Sequence, residues 1–216
     1  MELSSGTLAR GNWRPEQVHV TWSQDPYDPP PAAARAANDA IAELARRGSP
    51  SHDGTSARLV SFRATPDGLT LELQPIRWSL RLSASDALQS LAAMCVVRTT
   101  DGRWLAGHRA DWLASWPGRW ALGAGGSVEA GEHPVHTLRR ELLEEWSLEA
   151  AQLTIEALVC LPQRLVLFVG IAWVPPDATV VYEAEHSGYA WWPSDPEQWP
   201  PEADGAVRDM GRLLAA

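Results

Sequence analysis

Two cysteines in 216 residues are too few for a disulfide framework. Cys95 and Cys160 each sit in an apolar run and read as buried free thiols in a reducing compartment. No apolar run reaches the length that spans a bilayer, and the N-terminus is polar, so a cytoplasmic protein with no membrane partner is expected. Positive charge is scarce: 18 Lys and Arg stand against 27 Asp and Glu, a net charge of −9. Proteins that coat nucleic acid are usually basic, which argues against general nucleic-acid binding. An acidic protein that binds phosphates must recruit cations or focus a few arginines at its site. Also missing are a C-x-x-C pair, an H-E-x-x-H helix and a Ser/His/Asp nucleophile motif. The run Gly123-Ala124-Gly125-Gly126 follows no βαβ unit, so it is not a dinucleotide fingerprint.

What is present is a dense acidic stretch. It runs Gly125-Gly126-Ser127-Val128-Glu129-Ala130-Gly131-Glu132, continues through His133 to Arg139, and ends Arg140-Glu141-Leu142-Leu143-Glu144-Glu145-Trp146-Ser147-Leu148. The spacing predicts a helix over 134–146, with Pro134 in the first turn, where its missing N–H costs nothing. Glu132 stands just before it, where a carboxylate favours the positive end of the helix dipole. Val135, Leu138 and Leu142 are spaced for one buried face. Glu141, Glu144 and Glu145 fall at i, i+3 and i+4, so their carboxylates are expected to cluster on another face. Such a cluster repels itself unless a cation sits in it, and hard carboxylate oxygens suit Mg²⁺ or Mn²⁺, which also bridge phosphate oxygens. Arg140 can hold a neighbouring carboxylate and fix its aim. Gly125 and Gly126 allow a tight loop whose carbonyl can approach a metal.

This stretch resembles the Nudix box, G-x5-E-x7-R-E-U-x-E-E-x-G-U with U aliphatic. Gly126, Glu132, Arg140, Glu141, Leu142, Glu144, Glu145 and Leu148 stand at its fixed positions. Ser147 departs from the pattern, which has glycine there. That glycine reads as a helix C-cap in a left-handed conformation, so serine should carry a modest strain of about 1 kcal/mol without removing any charge.

The resemblance implies an α/β (α+β) protein: a Nudix α/β/α sandwich around a mixed sheet over residues 89–216, preceded by a small α+β unit over 1–88. It implies an enzyme that hydrolyses the pyrophosphate bond of a nucleoside diphosphate linked to another moiety, with Mg²⁺ or Mn²⁺ as cofactor. Glu141, Glu144, Glu145 and Arg140 would be the catalytic residues, and Gly125 with the three glutamates the metal ligands. Any one of the three could also serve as general base. Glu132 would support the loop. Members often use a further acid from a later loop, and Glu185, with Glu183 beside it, is the candidate here. Arg109, after the second strand of the domain, is a candidate phosphate ligand. Trp112, Trp116 and Trp120 flank the glycine loop. Trp116, with Gly126, is taken as substrate-binding, although a Trp at such spacing more often packs. Arg98 is a weaker phosphate candidate than Arg109.

Along the chain, residues 1–16 carry no periodicity and are expected to be loose. Strands are predicted at 17–22, 57–63 and 69–76, with Pro66-Asp67-Gly68 as a hairpin turn. An alanine-rich helix is predicted over 32–47, and 78–82 should extend the strand meander. The domain then offers strands at 92–98, 103–108, 153–161 and 165–174, a polar segment at 180–192, and closing helices at 197–199 and 203–214. The His52-Asp53-Gly54 loop ahead of a strand resembles a Nudix subgroup that includes mammalian UDP-glucose pyrophosphatase, which favours nucleotide sugars such as UDP-glucose as substrate. A lid or dimerisation unit is an equally open reading of residues 1–88, so a homodimer is among the expected partners. The rival to hydrolysis is a non-hydrolytic Nudix domain that senses a nucleotide and reports it to a partner.

Overall fold

The computed structural model describes residues 3–48, 53–83, 86–113 and 115–215. His52 of the His-Asp-Gly loop lies outside them. In chain order the elements are β1 (Gly6–Trp13), β2 (Val18–Trp22), α1 (Pro31–Arg46), β3 (Thr55–Thr65), β4 (Gly68–Arg77), β5 (Leu91–Thr99), β6 (Trp104–Arg109), β7 (Trp120–Leu122), β8 (Ala124–Ser127), α2 (Pro134–Trp146), β9 (Gln152–Cys160), β10 (Val166–Val174), β11 (His186–Trp192) and α3 (Gly205–Ala215). This is the mixed α+β composition expected. The chain divides into two compact units. One holds Met1–Ala93, Gly126–Thr137 and Ile155–Val169; the other holds Met94–Gly125, Leu138–Thr154 and Gly170–Ala216.

The first unit contains a three-stranded sheet in the order β2-β4-β3, with β2 parallel and β3 antiparallel to β4. Pro66 and Asp67 form the two-residue turn between Thr65 and Gly68, which pair across it. Leu69, Leu71 and Leu73 alternate along β4 and are fully buried, as the period-two pattern requires. Ala37 of α1 packs with Ile76 and Leu80, flanked by Tyr27, Ala33 and Leu88. The same unit carries a run of sheet in the order β1-β9-β10-β5.

Two expectations fail here. Residues 6–13 are not loose: they form β1, antiparallel to β9 from Gly6↔Cys160 to Trp13↔Ile155. The register breaks between Thr7 and Ala9 and again between Arg10 and Trp13, which erases the period-two signal in the sequence. Trp13 anchors the strand, buried, with its Nε1 donating to the Thr65 carbonyl at 2.7 Å. Residues 78–82 are not a strand but a 3-10 turn. Asp53 starts it, because its Oδ1 accepts the Ser79 N–H at 3.0 Å while Oδ2 takes the Arg77 guanidinium.

The second unit carries sheet in the order β9-β10-β5-β6-β11, with β7 also on β6. The polar segment expected at 180–192 is half strand: His186 to Trp192 form β11, antiparallel to β6, with Tyr189 opposite Gly107 and His186 opposite Arg109. Its aromatic residues earn the strand by packing, since Trp192 is buried against Trp120 and Trp199. Arg98 is held between the faces of Trp104 (4.1 Å) and Trp173 (5.0 Å), which gives it a packing role in place of the phosphate-binding one considered above. Cys95 and Cys160 are buried free thiols. No described helix is long and apolar enough to cross a membrane.

Candidate active site

Helix α2 forms over 134–146 as its sequence demands. Val135, Leu138, Leu142 and Trp146 are buried on its inner face. At its start the His133 Nδ1 accepts the Val135 N–H at 3.2 Å, a capping role the sequence reading missed. Glu132 closes the preceding turn, its Oε2 accepting the Glu129 N–H at 3.2 Å. At the other end Ser147 has φ 51°, the left-handed geometry foreseen for the missing glycine. Its N–H donates to the Leu143 carbonyl at 3.0 Å. Ser147→Gly is therefore expected to raise stability by about 1 kcal/mol, read as a higher midpoint in chemical denaturation with unchanged slope.

The three glutamates do not share one environment. Arg140 Nη1 donates to Glu141 Oε1 at 2.7 Å and to Glu144 Oε2 at 3.1 Å, and the Glu144 side chain is 57% exposed. Glu145 turns inward, its side chain 4% exposed. Its Oε1 accepts the Gly125 N–H at 2.8 Å, and its Oε2 meets His186 Nε2 at 2.7 Å. Arg140 thus holds Glu141 and Glu144, while two buried donors hold Glu145, which also shares a side-chain hydrogen bond with Glu141. Among the described residues no three His, Cys, Asp or Glu side chains gather closely enough to hold a metal ion.

The acidic groups of the box are not electrostatically alike. Burial pushes Glu145 up to about 8, with the Glu185 charge adding and the Gly125 hydrogen bond and Arg109 opposing. Burial also raises Glu141 to about 7, with Glu145 and Glu144 adding and Arg140 opposing. Both shifts come chiefly from burial, and it is the chemistry of the donor set, hard carboxylate oxygens, that fits Mg²⁺ or Mn²⁺. Glu141, Glu144 and Glu145 are the residues that would hold such an ion. Burial, with Arg109 adding, lowers His186 to about 4, so its imidazole is neutral.

Several residues singled out from the sequence meet around Glu145. The Glu183 N–H donates to the Glu145 carbonyl at 3.1 Å, and the Val181 N–H to the Trp146 carbonyl at 3.2 Å, so the loop carrying Glu183 and Glu185 is tied to the end of α2. The Glu185 carbonyl accepts the Ala110 N–H at 2.9 Å, beside Arg109, whose Nε donates to the Ser115 carbonyl at 3.1 Å. Trp116, in the same loop, is 41% exposed, as is Trp112, whereas Trp120 packs edge-on against His108. In the glycine loop, Gly123 has φ 61° and a Cβ there would stand 1.9 Å from the Cys95 carbonyl, so no other residue fits. Gly126, in the first unit, precedes Ser127, whose Oγ accepts from Trp78 Nε1 at 2.9 Å and from Arg81. The sequence reading did not foresee this support from the 78–82 turn.

A family model described as the NUDIX domain matches residues 88–210, more than half of the chain. No curated protein sequence matches significantly. Among solved structures, the Deinococcus radiodurans protein DR0079 superposes with a TM-score of 0.51 at 19% identity, covering 72% of this chain and 96% of its own. At that identity the likeness is one of fold. The NUDIX domain of Shewanella oneidensis NrtR, solved with ADP ribose, gives 0.46 at 20% identity over 59% of this chain and 88% of its own. A C. elegans Ap4A hydrolase gives 0.40 at 24% identity over 57% of this chain and 92% of its own.

Proposed function

The chain belongs to the NUDIX domain family and is a pyrophosphohydrolase of that family, and we propose that it performs metal-dependent hydrolysis of a nucleoside diphosphate linked to another moiety, with nucleotide sugars such as UDP-glucose favoured. The observation that carries this reading is the retention of all three box glutamates in graded settings: Glu145 buried and hydrogen-bonded at both oxygens, Glu141 half-way, and Glu144 exposed, the last two on Arg140. A protein that merely sensed a nucleotide would have no need to keep all three glutamates.

Mg²⁺ or Mn²⁺, when bound, neutralises the pyrophosphate and lowers the pKa of a coordinated water. The chain's own residues do the rest. Glu141, as a carboxylate beside Arg140, is one of the three box candidates for general base. Arg140 keeps Glu141 and Glu144 aimed. Arg109 supplies a guanidinium for a phosphate, and the exposed Trp116 supplies a ring face for the base or sugar. Glu185 adds a negative charge next to Glu145, and Glu132 steadies the loop. We assign residues 1–88 to an N-terminal extension and 89–216 to the hydrolase domain. Two buried free thiols support a cytoplasmic setting.

The test is a panel of UDP-glucose, ADP-ribose, NADH and 8-oxo-dGTP with Mg²⁺ or Mn²⁺. The expected result is nucleoside monophosphate released from UDP-glucose faster than product from the others, abolished by a chelator. Binding without turnover on every compound would replace this reading with the sensor.

A further inference from the structure

The His186 side chain has one hydrogen bond among the described residues. His186 begins β11, its backbone N–H donates to the Glu183 carbonyl at 3.0 Å, and its Nε2 lies 2.7 Å from Glu145 Oε2 with both side chains buried. Its Nδ1 is buried and has no hydrogen-bond partner among the described residues. With no acceptor at Nδ1 among the described residues, the ring proton is assigned to Nε2, where it donates to Glu145 Oε2. The ring cannot swing away. Trp146, the residue after Glu145, stacks on it at 4.0 Å with planes 30° apart. On β6, Gly107 leaves space for the pair, since a Cβ there would stand 2.6 Å from both His186 Nδ1 and Trp146 Cζ2.

Glu145 therefore has a fixed donor on each oxygen, the Gly125 N–H on one and the imidazole on the other. The terminal torsion of a glutamate is otherwise broad. Two donors on opposite oxygens settle it and leave a defined lone pair on each for a further ligand.

On the metal-dependent reading above, we propose that His186 is a positioning residue that locks Glu145 as a fixed oxygen ligand for the divalent cation. Gly107, Trp146 and His186 act as one device, and none of the three belongs to the box pattern at a fixed position. Partners of this kind orient metal ligands, and their loss typically weakens metal binding 10- to 100-fold.

The experiment titrates Mn²⁺ into wild type, His186→Phe and His186→Gln, following free Mn²⁺ by electron paramagnetic resonance, with melting curves and kcat and KM on the hydrolysed nucleotide. His186→Phe keeps the ring and its stack. It is expected to melt near wild type, to bind Mn²⁺ about 10- to 100-fold more weakly, and to lose kcat with little change in KM for the nucleotide. His186→Gln restores an N–H donor and should recover part of both. Wild-type Mn²⁺ affinity in His186→Phe, or no recovery in His186→Gln, overturns the proposal. Should His186→Phe fail to fold, His186→Asn, too short to reach Glu145, takes its place: weaker Mn²⁺ binding than in His186→Gln supports the lock, and equal binding overturns it. If wild type itself binds no Mn²⁺, the metal-dependent reading falls and this inference with it. If wild type binds and the variants bind equally well, the inference falls alone.

Discussion

Glu145→Gln is expected to lower kcat by about 10³-fold, the size seen when one preorganised charge-stabilising group is removed from an active site, while the protein stays folded. The substitution keeps the shape. The amide oxygen can still accept the Gly125 N–H, and the amide N–H can face His186 Nε2 if the imidazole moves its proton to Nδ1. That tautomer leaves a buried N–H without an acceptor, at roughly 1–3 kcal/mol. The loss is offset because a carboxyl group that burial disfavours as an anion is gone. What cannot be restored is the negative charge, and with it one hard oxygen ligand. Steady-state kinetics at saturating Mn²⁺ and a thermal melt decide the matter. A kcat within tenfold of wild type, in a protein that melts normally, would remove Glu145 from the catalytic machinery. Glu144→Gln, on a side chain exposed and held through Arg140, is the useful contrast. It separates loss of a buried ligand from general loss of negative charge.

The box helix was legible because its signals agree: Pro134 at the start, Val135, Leu138 and Leu142 on one face, and a left-handed stop at residue 147. The hairpin at Pro66-Asp67 was legible for the same reason, a turn signal between two alternating runs. Three features were not legible, and each depends on residues distant in sequence. Strand β1 exists because β9 offers it a backbone edge, and its register shifts hide any period. The turn at 78–82 depends on Asp53, 26 positions from the Ser79 N–H that it accepts. The inward turn of Glu145 depends on His186, 41 positions away. Helical spacing correctly placed Glu141, Glu144 and Glu145 on neighbouring turns, but spacing fixes only where a side chain leaves the helix. Where the carboxyl group ends is decided by Arg140, Gly125 and His186, and of these Arg140 alone belongs to the helix.

Cation binding should depend steeply on pH. Glu141 and Glu145 hold their protons to about 7 and about 8 in the metal-free protein, and a cation must displace them. Above pH 8 the apparent Kd for Mn²⁺ should be flat. Between 8 and 7 one proton competes and Kd should rise about tenfold per unit; below 7 two compete and the slope should approach about a hundredfold per unit. Stability carries the opposite sign in the absence of metal. Both groups titrate above their ordinary carboxylate value when folded, so the stability they contribute is complete below about 4.5 and is lost as pH rises toward 8. His186 and His133 are depressed by burial and act the other way, losing their contribution as pH falls below 6.5. The window between 6.5 and 8 therefore isolates the two glutamates. Metal-free protein should melt lower at pH 8 than at pH 6.5, and saturating Mn²⁺ should reverse that order, because the ion replaces the protons that the empty site needs. Melting curves at the two pH values, with and without Mn²⁺, test both signs together. If Mn²⁺ raises the melting temperature equally at pH 6.5 and 8, the two acids are not the groups that receive it.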